Sequence, residues 1–245
     1  MIDAELFVVS AGLGLVSGDE NVPAYDLTIS AGAGSIAPTL RRLGVTDQAW
    51  WQALTAARDQ GHPLSGLVGN DHIEQVWIAM PSTYLSMVAT ELSAVDAGVA
   101  RRKLRIFSSS KSHEVLPEHL RPCLMPYDTR LEAAGFAGTT SDFPQRCLLH
   151  FAKALSGRGT SLDEARSRVL AALEGLNAPT KPERQKLDDA EIIHVLRQQW
   201  QQHRGSSTKL LRYLRDGAGI ACEQGRFRQL WLGLKQEQQA NALRS

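Results

Sequence analysis

At 245 residues, with 43% hydrophobic and 22% charged side chains, the chain can bury a sizeable core without disulfides or a structural metal. Its three cysteines, Cys123, Cys147 and Cys222, are far apart and odd in number; they exclude a disulfide framework and a Cys-x-x-Cys site, and they fit buried free thiols in a reducing, cytoplasmic compartment. The net charge of +1 conceals a split: residues 1–100 carry three basic side chains against eleven acidic, residues 101–178 twelve against eight, and residues 179–245 twelve against seven. A basic half beside an acidic one suggests a surface for a polyanion.

Asp3 and Glu5 stand where a secretory leader would be basic, and the apolar run Leu6–Val16 is interrupted by Gly12 and Gly14. It is too short to cross a bilayer, so no membrane partner is expected. Four short apolar runs read as buried strands: Glu5–Ser10, Gln75–Met80, Lys103–Ser108 and Pro122–Met125. Helical periodicity lies between them, in Ile36–Leu43, Thr46–Gln60 and Tyr84–Val99. This alternation predicts an α/β domain over residues 1–156, with a four-stranded, mostly parallel sheet in a three-layer sandwich. Ser141–Leu155 closes it as an amphipathic helix, with Ser141 or Asp142 as N-cap.

Residues 157–245 read as a helical, basic region. Ser161–Leu176 is an amphipathic helix and Asn177–Pro182 a linker. Asp188–His203, Thr208–Arg215 (capped by Ser206 or Ser207) and Ile220–Lys235 follow, with Gly217 and Gly219 before the last. Three short helices with a glycine turn ahead of the third fit a helix-turn-helix unit.

In a parallel sheet, ligands bind beyond the carboxyl ends of the strands. The first predicted strand leads through Ser10 and Gly12 into an acidic loop with Asp19, Glu20, Tyr25 and Asp26; the second leads into Ser82 and Thr83, the third into Ser108, Ser109 and Lys111, the fourth into Tyr127 and Asp128. A carboxylate in the first loop can aim a water or stabilise a sugar cation, and the same loop also suits plain solvation. Thr140, Ser141 and Asp142 at a helix start can hold a phosphate or sugar hydroxyl, or simply cap the helix; Arg146, one turn on, can meet a phosphate or Asp142. Ser108, Ser109 and Lys111 suit backbone phosphate contacts. In the tail Ser207, Lys209, Arg212 and Arg215 precede Gln224, Arg226, Arg228 and Gln229, side chains that neutralise phosphates and read base edges. The seven histidines never pair at ligand spacing, so no metal site is expected. Dinucleotide-binding, Walker and nucleophile-elbow motifs are absent from the sequence.

The segment Leu6-Phe-Val-Val-Ser-Ala-Gly-Leu-Gly-Leu-Val16 with Pro23-Ala-Tyr-Asp-Leu-Thr28 resembles a family of bacterial proteins related to the uracil-DNA glycosylase superfamily. With Gly138–Arg146 and Ala221–Phe227, it also looks like antiphage DNA glycosylases that excise glucosylated hydroxymethylcytosine from phage DNA. The resemblance implies a cofactor-free, monofunctional glycosylase acting on double-stranded DNA by base flipping. The Gly-Gln-Asp-Pro-Tyr motif with which uracil glycosylases activate water is absent, so Asp19, Glu20 or Asp26 would supply that carboxylate. Two other readings of the same sequence are a non-catalytic DNA-binding stress or regulatory protein, and an enzyme acting on a free nucleoside or a modified base in which the tail only oligomerises.

Overall fold

The computed structural model describes residues 4–32, 34–180 and 183–242. The chain is an α/β protein, about half helix, with small sheets, and it divides into two compact units, 1–179 and 180–245. The expected break at 156/157 is thus not where the units part: helix Leu162–Leu173 buries Leu162, Ala165, Val169 and Leu173 in the core of the first unit. Of the expected linker, Lys181 and Pro182 lie outside the described residues.

In the first unit, β1 (Phe7–Ser10) and β2 (Gly14–Ser17) form an antiparallel hairpin. The Ser10 hydroxyl accepts the backbone N–H groups of Gly12 and Leu13 and so closes the turn. Gly14 has φ +72, and a Cβ there would strike Gln60 Oε1; the Gln60 amide donates to Leu15 O and accepts from Leu15 N, replacing a strand neighbour. Helices α1 (Ala37–Leu43), α2 (Asp47–Ala57) and α3 (Pro63–Gly69) follow, α2 started by the Thr46 hydroxyl on Ala49 N. Then come β3 (Val76–Ala79), α4 (Ser82–Leu92), α5 (Ala97–Lys103) and β4 (Leu104–Phe107). The single helix expected over Tyr84–Val99 is broken because Asp96 turns its carboxylate onto Val99 N and starts a new one. Strands β3 and β4 pair in parallel, and Leu124 bridges Ile106 in parallel.

The described strands therefore do not make the expected four-stranded parallel sheet. The first pairs with its own hairpin partner, because Gly12 and Gly14 reverse the chain at once. The fourth shrinks to one bridge because Pro122 sits in a 3₁₀ turn, Glu118–Cys123, just before it. After β4 come α6 (Ser112–Val115), a second 3₁₀ turn (Thr129–Glu132), α7 (Phe143–Lys153) and α8 (Leu162–Leu173). The core joins Trp51, Leu85, Val88, Ile106, Phe107 and Phe151. Inside it, the Glu91 carboxylate, 4% exposed, accepts from Trp51 Nε1 (2.6 Å), Leu64 N (2.6 Å) and Ser65 N (2.9 Å), which satisfies the first turn of α3.

In the second unit, β5 (Gln185–Lys186) pairs in parallel with β6 (Ile220–Ala221), and α9 (Asp189–Gln199), α10 (Ser207–Arg212) and α11 (Gln224–Ala242) pack around Ile192, Leu196, Leu210, Leu214 and Phe227. A capping box of Asp188 and Glu191 starts α9. Helix α10 runs on into a π turn, Tyr213–Gly217, and the short β-pair stands where only a glycine turn was expected, so α11 begins four residues later than predicted. Cys123, Cys147 and Cys222 are all buried and unpaired. Among the described residues no helix is long and apolar enough to cross a membrane.

Candidate functional site

The carboxyl ends of β3, β4 and the Leu124 segment lie side by side, as the parallel register requires. Ser108, just after β4, donates its hydroxyl to Met80 O (2.7 Å), just after β3, and Met125 N donates to Ile106 O (2.8 Å). From β3 the chain passes through Pro81 into α4, presenting Ser82, Thr83 and Tyr84 at that end. The first loop reaches the same place. Thr28 Oγ1 meets Tyr84 Oη at 3.2 Å, and Ser30 Oγ meets Thr83 Oγ1 at 2.8 Å. One step back along the loop, Tyr25 Oη hydrogen-bonds Ser10 Oγ (2.5 Å), and its ring lies near Gly12. From the other side, Gln145 on α7 approaches Ala79 O, at 3.5 Å.

Asp26 follows Tyr25 in the first loop, which reaches this rim through Thr28 and Ser30. Thr28 N donates to Gly34 O and Ile36 N to Thr28 O, folding residues 28–36 into a tight loop that returns against Asp26. Gly34 has φ +75, and a Cβ on it would come within 2.6 Å of Asp26 Oδ1, so only glycine leaves this carboxylate its place. Asp26 is exposed and in no ion pair among the described residues. An exposed carboxylate beside the exposed Tyr25, in the loop that Thr28 and Ser30 tie to α4, can accept from a sugar hydroxyl or a water.

The other predicted residues divide. Asp19 is exposed in the turn after β2, and Glu20 is drawn off by Arg58 at 3.0 Å. Ser108 is 1% exposed, its hydroxyl shared between Met80 O and Ser112 Oγ (2.7 Å), so it faces inward and the expected phosphate contact is not available to it. Ser109 and Lys111 stay at the surface. Tyr127 is 3% exposed and belongs to the core rather than to a pocket wall: its hydroxyl meets His150 Nδ1 at 2.9 Å, and its ring leans on Phe107. Asp128 is held by Arg130, whose hydrogen bonds keep it below the usual carboxylate range. Asp142 occupies the N-cap position of α7 without capping it, since its carboxylate bonds Arg146 Nε (2.8 Å). Arg146 spends its other nitrogens on the carbonyls of Phe136 and Thr139, which stitches residues 136–142 to α7 rather than leaving the guanidinium open. Thr140 and Ser141 remain exposed on that segment.

Burial pushes the Cys123 thiol up to about 11 and Cys147 up to about 12, which removes both as nucleophiles at neutral pH. Burial also holds His150 below its ordinary range. The native state therefore resists a proton that the unfolded chain accepts near pH 6.5, so stability is constant above that pH and falls below it. The expected slope in denaturant unfolding is at most about 1.4 kcal/mol per pH unit, and His150→Gln should flatten it whatever it does to stability at pH 8.

The second unit sorts its cations. Arg184, Arg197 and Arg226 are paired with Asp216, Glu237 and Asp189. Arg226 also donates to Leu187 O and so fastens α11 to the segment before α9, instead of facing a ligand as the sequence suggested. Lys209, Arg212 and Arg228 are exposed and in no ion pair among the described residues. Ser206, not Ser207, is at the N-cap of α10, and its side chain makes no capping bond.

No protein-family model, no curated protein and no solved structure matches the chain. Among the described residues no cluster of three or more His, Cys, Asp or Glu could hold a metal ion. Sequence reading missed Ser30 and Tyr84 as members of the rim. Thr28 was visible as the end of the Pro23–Thr28 motif; Ser30 carried no signal beyond being a hydroxyl near it.

Proposed function

We propose that the protein is a monofunctional DNA glycosylase that hydrolyses the N-glycosidic bond of a modified base, glucosylated hydroxymethylcytosine in phage DNA being the substrate the motifs suggest, in antiviral defence. The observation that carries this reading is the exposed Asp26 carboxylate, against Gly34 in the first loop that Thr28 and Ser30 tie to α4 just beyond β3. The parallel set of β3, β4 and Leu124 is what the architecture offers toward a uracil-glycosylase-like sandwich. In the reaction the C1′–N bond breaks and its electron pair leaves with the base. The sugar cation that develops is stabilised by the Asp26 carboxylate, which also accepts hydrogen from the water whose oxygen bonds to C1′; the released proton returns to the departing base. Tyr25 and Thr83, both exposed, suit a glucosylated base, which brings many donors and acceptors of its own. The second unit supplies phosphate contacts through Lys209, Arg212 and Arg228.

One observation favours a second reading, DNA binding without catalysis. Two surface clefts, of about 590 and 350 Å³, are lined by residues at the other end of β3 and between α3 and α5, and not by the hydroxyl rim. Incubation with unmodified and with glucosyl-hydroxymethylated duplexes, followed by cleavage at abasic sites, separates the two. Strand breaks in the modified duplex alone fit the glycosylase; salt-sensitive binding without breaks fits the second reading. Under either, Lys209→Gln with Arg212→Gln should lower the slope of log K against log salt by about 2, measured by fluorescence anisotropy on a duplex.

A further inference from the structure

The larger cleft, about 590 Å³, opens at the amino ends of β3 and β4, away from the loop that carries Asp26. Its walls include Glu74 and Gln75 before β3, Arg101 and Arg102 in the last turn of α5, and Thr160 and Asp163 at the start of α8, a helix of twelve residues. Gln75 braces it: its amide donates to Thr160 O (3.0 Å) and accepts from Trp77 Nε1 (3.2 Å) and Gly159 N (3.3 Å).

Directly behind the walls lies Arg105, fully buried. One terminal nitrogen donates to Thr160 O (2.7 Å) and the other to Arg101 O (3.2 Å) and Leu104 O (2.8 Å), so the guanidinium spans carbonyls of two wall residues. Its Nε has no partner, and among the described residues no carboxylate is in ion-pair reach of it. Burying a cation without an anion is costly, and the cost falls when a negative charge comes close. In front, Arg102 is exposed and in no ion pair among the described residues. Arg101 reaches Asp163 only at 3.3 Å, with both side chains at least half exposed; such a pair contributes about 0–1 kcal/mol and yields to a better acceptor.

We propose that this cleft binds a phosphate group bearing about one negative charge, as in a phosphodiester. Arg101 and Arg102 in the walls balance Glu74 and Asp163, and the buried Arg105 behind them leaves a single positive charge to be matched, which favours a diester over a more highly charged polyphosphate. The volume is in the range of sites that take a nucleotide-sized ligand, roughly 300–1,000 Å³. The site stands whether or not the rim is a glycosylase centre.

The test is NMR titration of the ¹⁵N-labelled full chain with a dinucleoside monophosphate, which has one phosphodiester, and with a longer single-stranded oligonucleotide. The Trp77 indole and the Gly159 amide, both bonded to Gln75, should shift and saturate, and Arg101→Gln with Arg102→Gln should weaken binding about tenfold or more. Lys153→Gln, an exposed cation on α7, should leave it unchanged. Binding of the dinucleoside monophosphate as tight per phosphate as the oligonucleotide supports the site and assigns it to free ligands; markedly tighter oligonucleotide binding, lost in the double variant, supports it and assigns it to a nucleic-acid backbone. No saturable shift at millimolar ligand, or binding indifferent to both arginines, overturns the proposal.

Discussion

Glu91→Ala should cost the first unit roughly 3–5 kcal/mol. The carboxylate is buried and, among the described residues, in no ion pair; it is retained because three N–H groups point at it, from Trp51, Leu64 and Ser65. Alanine leaves all three without an acceptor in a core that water does not reach, and it opens a void between α2, α3 and α4. Glu91→Gln should cost less, because the amide oxygen still serves Leu64 and Ser65 while the amide N–H₂ confronts the Trp51 indole N–H. Urea unfolding read at the Trp50 and Trp51 signal should order the midpoints wild type, Gln, Ala. A Gln variant as unstable as the Ala variant would place the weight on the carboxylate's charge rather than on the donors it receives.

How far the sequence disclosed this architecture depends on the range of the interaction. Short-range signals were legible. The apolar runs at Gln75–Met80 and Lys103–Ser108 became β3 and β4, and Thr46, Ser161 and Asp188 start the helices expected after them. Pairing was not legible, because an apolar run says that a strand is buried but not which neighbour buries it. Phe7–Ser10 turned onto Gly14–Ser17, and Gln60, 45 residues on, replaced the next strand with its own amide, a substitution no local pattern announces. The β5–β6 pair is two residues long on each side, below anything periodicity can detect.

For the site, the rule that turns meet beyond the carboxyl ends of parallel strands grouped Ser10, Tyr25, Asp26, Ser82 and Thr83; the strand before Ser10 is in an antiparallel hairpin instead, and the hydrogen bonds join Ser10 to Tyr25, and Thr28 and Ser30 to Tyr84 and Thr83 on α4. What sequence could not weigh was competition for each polar group. Tyr127 looked like a pocket phenol and is satisfied by His150; Arg146 and Arg226 looked like phosphate ligands and are satisfied by Asp142 and Asp189. Each loss comes from a partner within the fold whose approach is set by helix packing. The basic cleft around Arg101 and Arg102 was invisible for the same reason, since Thr160 and Asp163 reach it from some 60 residues away.

Asp26→Asn should slow the proposed base release by about 10²–10³-fold, the loss expected when one stabilising group at a developing charge is removed, and DNA affinity should change little because the proposed phosphate contacts are Lys209, Arg212 and Arg228. Asparagine keeps the shape and the fit against Gly34 while removing the negative charge, so packing is not the variable. Asp19→Asn, at an exposed turn, should release base at the wild-type rate. The most direct measurement is single-turnover base release from a glucosyl-hydroxymethylcytosine duplex with excess protein, wild type against Asp26→Asn. Base release by the wild type that the variant loses is the result this account requires. An Asp26→Asn protein that frees the base as fast as the wild type would contradict it.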